Sequence, residues 1–419
     1  MSVSSKISSP SPRPLPAVAL IGLGGYGQVH LRVLRELSAA GACRFVSAVA
    51  VPGTSSADLA SLPTDVRLYD SFATWLEAER GQFDLCCLPT PIHLHASMTL
   101  SALAAGGSVL VEKPLAASWR EVKQLLAAKP AAGRFLAVGF HDFCTREVYA
   151  LKNGLISGRY GRLKSIRMLG LWPRPDAYYQ RNAWAGRLRV SDGDVLDSPL
   201  NNALAHYLML ALFFAGDTPG TAAVVTGGEA ELYRTRQIES FDTAVVRLQT
   251  RSGIEVLSAV THSGSTEEVP LLILETEEVG RIEWRAGQEL RIYVGDEAPQ
   301  VRPLPDAVQA RIEMFTALFA RVRGEAASVC SVELAAVHAA CLLDLNAGCL
   351  IHDIPPPLLR ARDLAGEPGV GLIGIDAVLR RTVAEGKLPS ELGLPWTHPA
   401  TAFKAEHSLA LAQIQSHVF

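Results

Sequence analysis

Short apolar runs and amphipathic segments take turns along the first third of the chain. "AVALIG" (17–22) is a compact apolar run that ends in glycines, and "GQVHLRVLRELSAA" after it sets Val29, Val33 and Leu37 at helical spacing. "CRFVSAVAV" (43–51), "FDLCCLPT" (83–90), "SVLVEK" (108–113) and "RFLAVGF" (134–140) read as further strands. "SFATWLEAE", "HASMTLSALAAG" and "SWREVKQLLAA" read as helices between them. Strands separated by helices of this length predict a parallel sheet wrapped on both faces.

From about residue 142 the pattern changes. "RLKSIRMLGLW" (162–172) opens a series of strands with few long helices between them, and "TRSG" (250–253) reads as a hairpin turn. This predicts one broad, open, mainly antiparallel sheet. Runs such as "DTAVVRLQT" and "PLLILET" leave it an apolar face that cannot stand in water, so a homodimer or homotetramer joined through that face is expected. "DAVQARIEMFTALFARVRG" and "SVELAAVHAACLLDLNAG" are helices able to pack back on the body. "IPPPLL" (354–359) breaks the chain, and the remainder offers one helix and little else.

Composition narrows the class. The 419 residues are 48% hydrophobic and 19% charged, enough for large cores. A net charge of -3 gives no basic footprint for nucleic acid. Seven cysteines without CxxC spacing argue for a reducing compartment, and no run is long enough to span a bilayer. A cytoplasmic protein is expected, with no membrane association. The N-terminal "MSVSSKISSPSPRPLP" has no apolar signal-peptide core and reads as a disordered tail.

Gly22, Gly24 and Gly27 spell GxGxxG where the first strand turns into the first helix, with Gly25 and Tyr26 inside the motif. The first glycine permits the tight turn, the second lets a pyrophosphate approach the backbone, and the third lets helix and strand pack closely. The helix N-terminus then favours the phosphate charge. An α/β fold with an N-terminal Rossmann domain follows. The acid that usually holds the adenosine ribose is absent: Val51 stands in its place, with Thr54, Ser55 and Ser56 after it, so NAD and NADP stay equally open. The organisation expected is a tail (1–15), a Rossmann dinucleotide-binding domain (16–141), an α+β substrate and oligomerisation domain (142–355) and a C-terminal extension (356–419).

"VLVEKPLAAS" (109–118) ends a core strand on Glu112, Lys113 and Pro114. Buried charge is costly unless paired or used, so this corner is either a salt-bridged turn or part of a site. With GxGxxGxxH (Gly22 to His30), "LPTPIHLHASMTLSALAAGGSVLVEKPLA" and "GRLKSIRM" in order, the chain resembles the glucose–fructose oxidoreductase/inositol dehydrogenase/MocA family over roughly residues 16 to 355. The resemblance implies NAD(P)-dependent oxidation or reduction of a carbon–oxygen centre in a sugar, cyclitol or similar polyol. It implies cofactor contacts from the glycine loop, Thr90, Pro91, His95, Glu112 and Lys113, with Lys113 also reaching the substrate oxygen.

The segment 178–216 carries the other half of the expected site. An apolar helix from Leu204 holds His206, and its first turns carry Asn201 and Asn202; Asn202 and His206 are four apart, so they share one helical face. The resemblance places an Asp–His pair at this spacing, with the His as acid/base. Here Asn202 replaces the Asp, and Met209 stands where a further Asp is common. Catalysis is assigned to Lys113, His206 and Asn202. "YYQRNAWAG" adds Tyr179, Arg181, Asn182 and Trp184, and Asn201 follows. These suit a polyol pocket, although a surface loop pinned by a buried Trp fits equally well. His93 and His95 lack a third ligand at metal-site spacing, so no metal is expected. Two rivals to a dehydrogenase stay open: an NAD-using glycosidase with no net redox, and a non-catalytic cofactor-binding sensor on the same fold.

Overall fold

A computed structural model describes residues 14–50, 54–277, 280–295 and 297–416, so the tail up to residue 13 and Val51 lie outside the described residues. The first domain is a six-stranded sheet of β1 (Ala17–Ile21), β2 (Arg44–Val49), β3 (Arg67–Tyr69), β4 (Leu85–Leu88), β5 (Ser108–Val111) and β6 (Leu136–Val138). Every pairing is parallel and the order is β3-β2-β1-β4-β5-β6. β1, β4 and β5 are buried along their whole length, which is why they read as unbroken apolar runs rather than alternating ones. The strand order reverses between β1 and β4, and the crevice beyond their C-terminal ends is where open α/β sheets bind ligands. α1 (Gly27–Ala39) starts at that crevice.

The second sheet has ten strands, mostly antiparallel. β7 (Leu163–Leu171) sits near its centre, parallel to Glu255–Thr261 and antiparallel to Leu271–Thr276. One face packs on the buried helix Ala205–Phe214, whose ring of Leu208, Met209, Leu212 and Phe213 joins the largest core. Two later helices tie the domains together. Met314, Phe315, Leu318 and Phe319 of Ala307–Val322 return to the first domain and pack with Leu20, Leu31 and Leu34.

The other face of this sheet is not the bare apolar face that the strand pattern suggested. Leu169, Leu171, Val245, Leu257, Ala259 and Ile273 are buried by the chain's own Ile375, Leu379, Val383 and Leu388. The helix Ile375–Glu385 lies across the sheet, and two sheet arginines bind the carbonyls at its C-terminal end. Arg167 donates to Val383 O and Ala384 O, each at 3.1 Å, and Arg247 donates to Gly386 O at 3.1 Å. The apolar face therefore needs no second subunit to cover it.

The C-terminal extension is more structured than its sequence suggested. It forms the hairpin Leu359–Leu364 with Glu367–Leu372 and the helix Glu406–Ser416, and it adds the strand Thr401–Lys404 to the second sheet. Asp344 caps the start of Glu406–Ser416 by accepting from the amides of His407 and Ser408.

Candidate active site

The glycine loop has the geometry its sequence requires. Gly22 and Gly25 adopt φ of 97° and 54°, values that favour glycine. A Cβ on Gly27 would lie 2.2 Å from Gly22 O, so the third glycine is fixed by packing. A Cβ on Gly24 or Gly25 would meet nothing within 4 Å, so this face of the loop is open. The N-cap of α1 is Tyr26, which makes no side-chain cap, and the first turn holds no acid. Beside the loop the Thr90 hydroxyl is buried and unpartnered. Open space over glycine, uncapped amides and an orphaned hydroxyl fit a dinucleotide pyrophosphate and its ribose.

The corner after β5 resolves into three roles. Glu112 is buried and accepts from His30 Nε2 at 2.9 Å, while its other oxygen accepts the Lys113 amide at 3.1 Å. Burial pushes the Glu112 carboxyl up, but the His30 hydrogen bond, with the positive charge of His30 and Lys113, outweighs it and holds the carboxyl down to about 2. The Lys113–Pro114 peptide is cis. Lys113 crosses to the second domain, where its Nζ donates to Asn202 O at 2.8 Å and Asn202 Oδ1 at 3.2 Å. Burial pulls the Lys113 ammonium below its ordinary value, against Glu112 and Asp197.

His95 and Glu112 are not placed as cofactor ligands by this geometry. The His95 ring is buried between Pro114 O (2.8 Å) and Thr90 O (2.9 Å), so it fixes the two strand ends to each other. Tyr26 packs its ring edge-on to His30, and its hydroxyl accepts from Arg311 at 3.1 Å.

The Asn202–His206 pairing also needs correction. The helix begins at Ala205, after a turn in which Asn202 N bonds Ser198 O and Leu204 N bonds Pro199 O. Asn202 therefore leaves the helical face. Its amide donates to Asp197 Oδ1 at 2.8 Å while its carbonyl oxygens hold Lys113. The acid beside His206 is Asp142, just after β6, with Oδ2 at 3.0 Å from His206 Nδ1. Burial opposes the Asp142 charge, but His141 and the His206 hydrogen bond hold the carboxyl well below the usual carboxylate range. The His141 ring lies tilted against His206 with ring centres 4.3 Å apart, and burial lowers it to about 3, so it is uncharged at neutral pH. His141, Asp142 and His206 are the one group of potential metal ligands among the described residues, with ligand atoms within 4.8 Å of each other.

The "YYQRNAWAG" loop divides in two. Tyr179 turns inward, its hydroxyl 3.1 Å from His262 Nδ1, and Asn182 Oδ1 caps the amides of Trp184 and Ala185. Asn201 is buried and ties Val195 O and Leu196 O, where Leu196 holds a left-handed φ of 49°. Each of these three thus has a partner within the chain. Arg181 and Trp184 remain near Lys113: Arg181 acts on the Lys113 charge, and Trp184 packs with Ile92 and Ala117 beside the β4 and β5 exits. Sequence reasoning missed Asp142, His141 and Asp197. The one signal for Asp142 was its place just beyond a strand end beside the β5 corner, where ligands gather in such sheets.

The first domain, residues 17–140, matches the family described as "Oxidoreductase family, NAD-binding Rossmann fold". The chain is 31% identical over 166 residues to inositol 2-dehydrogenase of Leifsonia xyli, covering 38% of this chain and 47% of that protein. It is 26% identical over 181 residues to 1,5-anhydro-D-fructose reductase of Ensifer adhaerens, covering 41% and 54%. The matched region spans about half the length of these curated relatives. The WlbA dehydrogenase of Bordetella pertussis, solved with NADH and UDP-GlcNAcA, superposes with a TM-score of 0.62 at 22% identity, covering 79% of this chain and 94% of that one; this likeness concerns the fold.

Proposed function

We propose that this chain belongs to the glucose–fructose oxidoreductase/inositol dehydrogenase/MocA family of NAD-binding oxidoreductases, whose model its first domain matches, and that it is a nicotinamide-dependent dehydrogenase or reductase of a sugar-like or cyclitol-like hydroxyl or ketone. One observation carries the reading. Lys113, at the cofactor crevice, spans 89 residues to bond Asn202, and the helix that follows holds His206 on an ionised Asp142.

A bound nicotinamide would exchange a hydride with the substrate carbon at its C4. The protein's own groups handle the oxygen and its proton. With Nδ1 held by Asp142, the His206 ring has Nε2 left to take the hydroxyl proton in oxidation or return it in reduction. Asp142 stabilises the imidazolium that forms and fixes the ring's orientation, the task an acid performs behind a catalytic histidine. The Lys113 ammonium stabilises negative charge on the same oxygen. Its anchor on Asn202, itself held by Asp197, sets where that charge sits. His30 and Glu112 keep the preceding residue fixed. Gly22, Gly24, Gly25 and Gly27, with Thr90 and Pro91, would hold the cofactor.

The test is a panel of sugars and cyclitols with NAD and with NADP, followed at the absorbance of reduced nicotinamide. Turnover of at least one polyol is expected, lost in Lys113→Met with cofactor affinity retained. Sugar release from an aryl glycoside without any change in nicotinamide would replace this reading by net hydrolysis.

A further inference from the structure

Arg174 and Arg181 face this region without a carboxylate partner, and a third such arginine, Arg311, is held on the first-domain side by Tyr26 and Ala307 O. Arg174 follows β7 and Arg181 lies in the 176–184 loop, and among the described residues neither makes an ion pair. Arg181 donates to Tyr178 O, and Arg174 donates to the adjacent Pro173 O at 3.3 Å and to the Tyr178 hydroxyl. Other buried or half-buried arginines on this wall are saturated. Arg236, for example, binds Asp176, Asp242 and two backbone carbonyls.

Both free guanidiniums are held in place by aromatic rings. The Arg181 guanidinium carbon lies 3.7 Å from the Tyr178 ring centre and 5.1 Å from that of Trp184. Arg174 lies 5.4 Å from the same Tyr178 ring and 5.1 Å from Trp172. Stacking fixes each planar fork, and the hydrogen bonds to Tyr178 and Pro173 leave further donors on each guanidinium without a carboxylate. Trp172 in turn meets Tyr207, the residue after His206, with ring centres 6.1 Å apart, so this wall adjoins the reacting end of the site.

The nearby charge balance leaves the pair uncompensated. Asp197 is the carboxylate within electrostatic reach of Arg181 and Lys113, but it is buried against the Gly186 amide and Asn202 Nδ2. Burial pushes its carboxyl up, which weakens it as a counterion. Behind Tyr178 and Tyr179, His262 is buried beside Arg174, Arg236 and Arg181 and is held well below its ordinary value, so it adds no charge.

We infer that the substrate carries an oxyanion, a carboxylate or a phosphate monoester, seated on the edges of Arg174 and Arg181 while its reacting hydroxyl or ketone lies at Lys113 and His206. This rests on the dehydrogenase reading above. A planar or tetrahedral oxyanion matches the two-donor edge of a guanidinium, which a neutral polyol cannot exploit.

The test compares glucose and myo-inositol with glucuronate and glucose 6-phosphate, using the full chain with NAD and NADP. Two readouts are followed: nicotinamide reduction, and quenching of tryptophan fluorescence, since Trp172 and Trp184 flank the arginines. The anionic probes should outperform their neutral parents by about 10–100-fold in kcat/KM or affinity, the scale of a charge-assisted pair. The choice of anion tells carboxylate from phosphate. Arg174→Met and Arg181→Met should each abolish that preference through KM, leaving cofactor affinity unchanged, and Arg181→Lys should restore part of it. Equal or better response to the neutral sugars overturns the inference. Anion-selective quenching with no nicotinamide reduction from any probe sustains the oxyanion site and sinks the dehydrogenase reading instead.

Discussion

Two histidine–carboxylate pairs stand close together in this molecule and have almost the same length. His30 meets Glu112 at 2.9 Å and His206 meets Asp142 at 3.0 Å. Their surroundings differ. The side chains of His30 and Glu112 are 1% and 6% exposed, and the His30 ring lies between Tyr26 and Phe315 with Nδ1 buried and unpartnered. The side chains of His206 and Asp142 are 9% and 17% exposed, and the His206 ring meets His141 and Tyr207 as well as the apolar Phe140. The closed pair can only hold its neighbours in place. The open one can exchange a proton with a ligand. Under the proposed function, the site uses the same chemistry twice, once as scaffold under Lys113 and once as the reacting group.

The comparison breaks first at His206. His206→Ala should cut turnover by about 10²–10⁴-fold, the scale of an acid–base group, with thermal midpoint and cofactor affinity near wild type. His30→Ala should do the reverse. It strands a buried carboxylate, so unfolding should lose about 3–5 kcal/mol, read by denaturant titration. Loss of activity in a fully stable His30→Ala protein would erase the distinction between the pairs.

A smaller effect should appear in acid. The Glu112 carboxyl is held down to about 2 from an ordinary 4.5, so its contribution to stability is complete above the ordinary value and is lost as pH falls toward 2. The shift corresponds to about 3 kcal/mol. Thermal midpoints measured from pH 5 to pH 3 should fall more steeply for wild type than for Glu112→Gln. Parallel curves would mean that Glu112 is not charge-paired in the folded protein.

The smallest effect is expected at Asn202. Asn202→Asp sets a second carboxylate against Asp197 rather than beside His206, because Asn202 Nδ2 bonds Asp197 Oδ1 at 2.8 Å. The acidic limb of the pH–rate profile should stay within about 0.3 units of wild type, while KM rises as Lys113 is pulled toward the new charge. A shift of a full unit would place residue 202 at His206 after all.

What the sequence disclosed, and what it hid, follows from range. The parallel strands of the first sheet are buried on both faces, so β1, β4 and β5 announce themselves as apolar runs, and the glycine loop, Lys113 and His206 are local motifs. Asp142 reaches His206 only because β6 lies beside β5, with Val111 opposite Val138, and no spacing along the chain encodes that neighbour. Asn202 was set on the wrong surface because the apolar run from Leu204 gives no warning of the preceding turn, in which Leu204 N bonds Pro199 O. The C-terminal extension was the least legible. "LRARDL" and "EPGVGL" carry little apolar signal as strands, and the apolar stripe of Ile375, Leu379 and Val383 has meaning only against a sheet formed some 100 to 210 residues earlier.

The central claim is that His206 exchanges the substrate proton with Asp142 behind it. It is tested most directly by kcat/KM against pH for alcohol oxidation in wild type and Asp142→Asn, with cofactor affinity measured alongside. The plateau should fall by about 10²-fold or more across the whole pH range as the ring loses its orienting acid, with cofactor affinity unchanged. A wild-type plateau would contradict the account.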